Sequence, residues 1–167
     1  HVFDPTHVPT DDEGSVNAWE ARKARERAKT GTSALDGVPA SLPGLLRAHR
    51  ITEKASRVGF DWPNIKGVLE KVEEETGELR EAITLGSDKG IVEEYGDLIF
   101  SVVNLGRFLP VDAESALRSA TKKFSRRFRL VERNLALKSK TIYDMPLDEL
   151  ESAWNQVKQL EQDLIND

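Results

Sequence analysis

From about residue 45 onward, apolar residues recur at three- and four-residue intervals, the spacing of one face of an α-helix. Leu45 to Val58 form a first core helix, ended by Gly59. Asp61-Trp62-Pro63 reads as the next helix start, with Asp61 as cap and proline early in the first turn. That helix runs to about Leu85 and stops at Gly86; Leu69, Val72, Leu79 and Ile83 share its apolar face, with Thr76 between them. A third helix covers about 89–109 and ends before Pro110. Asp112 caps a fourth, to about Leu137, and Pro146 opens a fifth, to about Leu164. No segment alternates with period two, so no strand is expected. Short connections place successive helices antiparallel. The fold class is all-α, an antiparallel helix bundle.

The first 44 residues read differently. Residues 1–14 are polar and hold Pro5, Pro9 and Gly14, as a linker or a cut edge would. Residues 15–29, around Trp19-Glu20-Ala21-Arg22-Lys23, are a charged helical stretch with few apolar anchors, which needs a partner to pack on. Gly31, Gly37, Pro39 and Pro43 make 30–44 a loop and a boundary. Residues 1–44 are thus a linker with one charged helix, and 45–167 the helical domain that carries the chemistry.

The third helix is the informative one. At 100° per residue, Ile91, Tyr95, Leu98, Val102 and Leu105 cover one side, Val92, Ile99 and Val103 another, and Phe100 a third. A helix so apolar around its circumference is expected to be largely buried. Yet Glu94, Asp97, Ser101 and Asn104 follow i, i+3, i+7, i+10 as one polar stripe. Buried carboxylates are costly unless paired or bound to metal. The second helix supplies Glu75 beside its apolar face, Glu78 one turn on, and Glu74 further round. Packed antiparallel, the two helices bring up to five carboxylates face to face. Oxygen-only ligands suit Mg²⁺. Two plainer readings stand beside this one: Glu73-Glu74-Glu75 as a solvated helix face, and the stripe as a salt-bridge network with arginines.

Composition trims the alternatives. With 167 residues, 32% charged and 7% aromatic, the chain suits one helical domain plus an extra segment. A net charge of −5 argues against a general nucleic-acid binder while leaving room for a local basic site. The absence of cysteine excludes disulfides, thiolate metal sites and a Cys nucleophile. The histidines are His1, His7 and His49, none of them three after a glutamate, so a ferritin-like di-iron site is excluded and zinc hydrolysis disfavoured. No Walker-type phosphate loop is present. No apolar run approaches the roughly 20 residues that span a bilayer. Residues 1–20 lack the basic start and apolar centre of a signal peptide. A soluble cytoplasmic protein without membrane or nucleic-acid partners is expected.

Glu74-Glu75-Thr76-Gly77-Glu78, followed by Glu94-Tyr95-Gly96-Asp97, resembles the EExxE…ExxD signature of the all-α NTP pyrophosphohydrolases, and within them the MazG family. The likeness extends to Ser33-Ala34-Leu35-Asp36-Gly37-Val38-Pro39, Leu45-Leu46-Arg47-Ala48-His49 and Gly59-Phe60-Asp61-Trp62. It continues through Lys122-Lys123-Phe124-Ser125-Arg126-Arg127-Phe128 and Trp154-Asn155-Gln156-Val157-Lys158, so it covers about residues 15–160. MazG proteins carry two tandem copies of the domain. This chain resembles the second, with His1-Val2-Phe3 as the tail of a first.

The resemblance implies a homodimer or higher homo-oligomer that hydrolyses nucleoside triphosphates to monophosphate and pyrophosphate, as nucleotide-pool control requires. It implies Mg²⁺, with Mn²⁺ as a substitute, held by Glu75, Glu78, Glu94 and Asp97. Glu74 is then the spare carboxylate, a water-orienting base or outer-shell group. Lys123 and Arg127, i and i+4 beside an apolar face, are candidates for the phosphates. Trp154 and Lys158 repeat that spacing on the last helix, and Asn104 completes the substrate set. Lys123 and Arg127 also read as an ordinary basic face, and Trp154 as a core residue. Two rival functions remain: a phosphoribosyl-ATP pyrophosphohydrolase, which the blocks at 33–62 disfavour, and a catalytically idle helical dimer serving as an interaction module, which the intact acidic set disfavours.

Overall fold

The structure, a computed structural model, describes residues 31–166. The linker expected over 1–14, the charged helix over 15–29 and the tail at 1–3 lie outside those residues. The chain divides into two compact units, with the boundary after Ala113. All regular elements among the described residues are helical, and no helix there is long and apolar enough to cross a membrane.

In the first unit, α1 spans Gly44–Ser56, α2 Ile65–Leu85 and α3 Asp88–Phe108. The start of α2 corrects the expected cap. The side chain of Asn64, not Asp61, accepts from the Lys66 amide at 3.0 Å. Pro63 disfavours helical backbone in the residue before it, which pushes the start past Trp62. Asp61 instead takes a bidentate pair from Arg107 near the end of α3, Nη2 to Oδ1 at 2.6 Å and Nη1 to Oδ2 at 3.1 Å. Arg107 Nε donates to Asn104 Oδ1 at 2.8 Å, so one guanidinium ties the α1–α2 loop to α3. Trp62 closes the same corner. A Cβ on Gly67 would fall 2.4 Å from its ring, so only glycine admits the indole there.

The turn between α2 and α3 is two residues long. Gly86 takes left-handed backbone, φ +66°, and ends α2; Ser87 accepts from the Gly90 amide and starts α3. So short a link makes the two helices antiparallel neighbours, and α3 packs on both α2 and α1. Val68, Ala82 and Val103 are buried, together with the polar side chains of Thr52, Glu75, Ser101 and Asn104.

Within one chain the burial of α3 is one-sided. Its packed side is covered, but Val92, Tyr95, Ile99 and Val102 are exposed, Val92 by 75%. They recur at i, i+3, i+7 and i+10, one stripe on a face that α1 and α2 leave open.

In the second unit, α4 spans Ala113–Leu137 and α5 Leu147–Asn166. A 3-10 turn, Ile142–Asp144, lies between them. The Thr141 hydroxyl holds that turn, accepting from the Tyr143 amide and donating to Asp144 Oδ2. Val131, Leu135 and Val157 form its core, flanked by Leu130, Ile142, Met145, Leu150, Ala153 and Trp154.

Candidate active site

The antiparallel α2–α3 pair gathers acidic groups in the first unit. Glu75 and Glu78 stand one turn apart on α2, and Glu94 comes from α3. Each offers an oxygen, and the three oxygens lie within 4.8 Å of one another. Among the described residues no other group of acidic or histidine side chains converges so closely. Glu75 is buried, Glu94 half-buried and Glu78 exposed. Asp97 lies outside this close group, yet its charge reaches Glu94.

The electrostatics are those of a site short of positive charge. Partial burial holds the Glu94 carboxyl above the ordinary carboxylate range, and the charges of Glu78, Glu75, Asp97 and Glu93 add to the effect. One cation is present. Lys71 Nζ sits 2.6 Å from Glu75 Oε1 and 2.9 Å from Glu74 Oε1. Bonds to Glu75 first and Glu74 second hold the lysine above its usual range. The second oxygen of Glu75, Oε2, is buried with no hydrogen-bond partner. A buried carboxylate oxygen without a donor is costly.

A divalent cation fits this arrangement. It would satisfy the orphaned Glu75 oxygen and offset the crowding at Glu94. Three carboxylate oxygens converging from two helices are the hard donors such a cation takes, and binding it would draw them closer together. Glu74 is exposed and engaged with Lys71. Asn104 is buried, with its oxygen committed to Arg107.

In the second unit, Lys123, Arg127 and Trp154 line one cavity of about 410 Å³, together with Ala120, Thr121 and Phe124. The Phe124 ring packs 5.1 Å from Trp154, centroid to centroid. Trp154 is therefore both core and cavity wall. Lys158 is half-buried and does not line this cavity. Two residues emerge that the sequence reading missed. Lys71 stands four before Glu75, the ion-pair spacing on a helix, and was legible on that count. Glu161 bonds Arg127 Nε at 2.8 Å across 34 residues of chain, which leaves no local signal.

The family model for the MazG nucleotide pyrophosphohydrolase domain matches residues 64–131. The chain carries a MazG domain. The MazG match contains α2, α3 and most of α4, and with them all five acidic positions, Lys71, Lys123 and Arg127. Trp154, Lys158 and Glu161 lie beyond it. A Thermotoga maritima protein named nucleoside triphosphate pyrophosphohydrolase/pyrophosphatase MazG is 44% identical over 153 residues, covering 91% of this chain and 59% of that protein. An Escherichia coli K12 protein named nucleoside triphosphate pyrophosphohydrolase is 42% identical, covering 98% and 63%. YabN of Bacillus subtilis is 34% identical over 96% of the chain and 33% of its own length. The chain thus spans about three fifths of the first two of these relatives.

The crowding at Glu94 has a measurable consequence. A carboxyl whose folded pKa is raised costs stability when ionised, and the cost vanishes once pH falls below its ordinary value. In protein stripped of metal with EDTA, Glu94→Gln is expected to melt at the same temperature as the parent or higher at pH 7. The difference should shrink as the pH falls through the raised value to below about 4.5, the ordinary carboxylate value. A clear drop in melting temperature at pH 7 would mean that Glu94 is held in a stabilising pair, against the crowded-carboxylate account.

Proposed function

We propose that the chain is a Mg²⁺-dependent nucleoside triphosphate pyrophosphohydrolase, releasing the monophosphate and pyrophosphate. The observation that carries this reading is the Glu75–Glu78–Glu94 cluster with its orphaned, buried Glu75 oxygen. The names of the relatives support the same reaction. Glu75, Glu78 and Glu94 would hold the metal, with Asp97, one turn along α3 from Glu94, completing the set. When bound, Mg²⁺ supplies charge neutralisation between carboxylates and triphosphate, and Lewis-acid polarisation at the α-phosphoryl group; Mn²⁺ can substitute.

The chain's own groups divide the remaining work. Water oxygen bonds to the α-phosphorus while the bond to the α,β-bridging oxygen breaks, and pyrophosphate departs with that oxygen. Glu74, solvent-accessible beside Glu75, orients the water and takes its proton. Lys123 and Arg127 bind phosphate oxygens, with Arg127 offering a planar fork. Trp154 supplies an aromatic wall, and Lys158 adds positive charge on the same helix. Asn104 acts from within the helix pair by keeping Arg107, and so the loop at Asp61, in place.

Product analysis tests this directly. Incubation with a panel of NTPs and dNTPs plus Mg²⁺ or Mn²⁺ should yield monophosphate and pyrophosphate. Alanine at Glu75, Glu78, Glu94 or Asp97 should nearly abolish turnover. Orthophosphate and a diphosphate as products would mean cleavage at the γ position and would sink the reading.

We further propose that the working form is a homodimer or a higher homo-oligomer. The exposed α3 stripe of Val92, Tyr95, Ile99 and Val102 carries this, because so continuous an apolar row is costly in water. Few side chains are buried within one chain: among the described residues only six hydrophobic ones. A second copy packed on the stripe across a two-fold axis would complete the core. Light scattering at micromolar concentration should give twice the chain mass or a higher multiple. A fully active monomer would refute the assembly.

A further inference from the structure

Arg126 and Arg127 both reach Glu161 on α5, but not in the same way. Arg127 donates its Nε to Glu161 Oε2 at 2.8 Å, a directed bond with both side chains about four-fifths covered. Arg126 places Nη2 2.8 Å from Oε1 as an ion pair, its side chain is 63% exposed, and its hold on the carboxylate is weaker than that of Arg127. The directional partner of Glu161 is therefore Arg127.

What this bond leaves over is informative. A guanidinium has five N–H groups, and Nε carries one of them. With Nε tied back to a carboxylate, the plane of the group is set and the four N–H groups on Nη1 and Nη2 are not taken by this bond. Arg127 lines the 410 Å³ cavity that Lys123 also borders, whereas Glu161 does not line it. Glu161 thus stands behind the arginine rather than beside a ligand. A carboxylate facing an anion site would repel phosphate; one placed behind an arginine orients it, while Arg126 offsets the negative charge.

We propose that Glu161 is a positioning residue, fixing Arg127 through Nε so that its terminal nitrogens, with Lys123, meet the phosphate oxygens of the substrate. This rests on the pyrophosphohydrolase reading above. It adds a residue that lies outside the MazG match and touches no substrate itself. It also separates Arg126 and Arg127, adjacent and alike in charge, into a counter-charge and a binding group.

The test is a double-mutant cycle on the full chain, read in two ways: KM and kcat for NTP hydrolysis, and Kd for inorganic tripolyphosphate by calorimetry. Glu161→Ala should raise KM and Kd about tenfold, the weight of one charge-assisted hydrogen bond, with kcat little changed. Glu161→Gln, which keeps an acceptor for Nε, should recover most of that loss. Arg126→Ala should lower the melting temperature yet leave KM and Kd near the parent values. Arg127→Ala combined with Glu161→Ala should bind no more weakly than Arg127→Ala alone.

Additive losses in the double variant would overturn the positioning role, as would an Arg126→Ala defect equal to that of Glu161→Ala; the cluster would then be a structural ion pair. Failure of the parent chain to bind tripolyphosphate would overturn it too. If the parent chain binds tripolyphosphate but cleaves no NTP, the pyrophosphohydrolase reading fails, and the Kd cycle alone decides the role of Glu161.

Discussion

Like charges held close together on two packed helices are the constraint around which the first unit is built. Glu75 and Glu78 on α2 meet Glu94 on α3 because a two-residue turn, Gly86-Ser87, folds one helix back along the other. The fold itself gains nothing from that meeting. Burial and mutual repulsion raise the proton affinity of Glu94, and one oxygen of Glu75 has no donor. Lys71 relieves part of the imbalance from one side. Further positive charge, such as a divalent cation, would stabilise the arrangement as a whole.

The surroundings hold that unfavourable cluster in place. At one end, the Trp62 ring sits close against Gly67 and Arg107 clamps Asp61 and Asn104, which ties the α1–α2 loop to α3. Val68 and Val103 are buried to within about 1% of full coverage, which fixes the register of the helices that carry the carboxylates. The second unit meets its own ionic demand differently. There Glu161 draws two arginines together, and the covered carboxylate is held below its usual range by the bond from Arg127.

Much of this could be read along the chain. Helical periodicity located all five helices of the described residues, since apolar spacing and the stops at Gly59, Gly86 and Pro110 are local signals. The polar stripe on α3 pointed to Glu94 because a carboxylate in an apolar helix demands a counter-charge. The cap at Asp61 was misread: a proline two residues on moved the start to Asn64, and Asp61's true partner lies 46 residues away. The 3-10 turn at 142–144 is too short to show a period. Hydrophobicity shows that the faces of α3 seek cover without telling which of them one chain covers by itself. Glu161 was invisible for the reason Asp61 was misassigned: long-range ion pairs leave no spacing to read. The linker at 1–44 and the tandem-copy reading rest on sequence alone.

The central claim is that the α2–α3 carboxylates form a divalent-cation site. Its most direct measurement is electron paramagnetic resonance of Mn²⁺ titrated into the metal-free chain, where bound ion loses the sharp signal of the free one. The account predicts saturable binding that tightens when a non-hydrolysable nucleoside triphosphate is added and is lost in Glu75→Gln. Free-ion signal growing in direct proportion to added Mn²⁺, with nucleotide present and unchanged by Glu75→Gln, would contradict it.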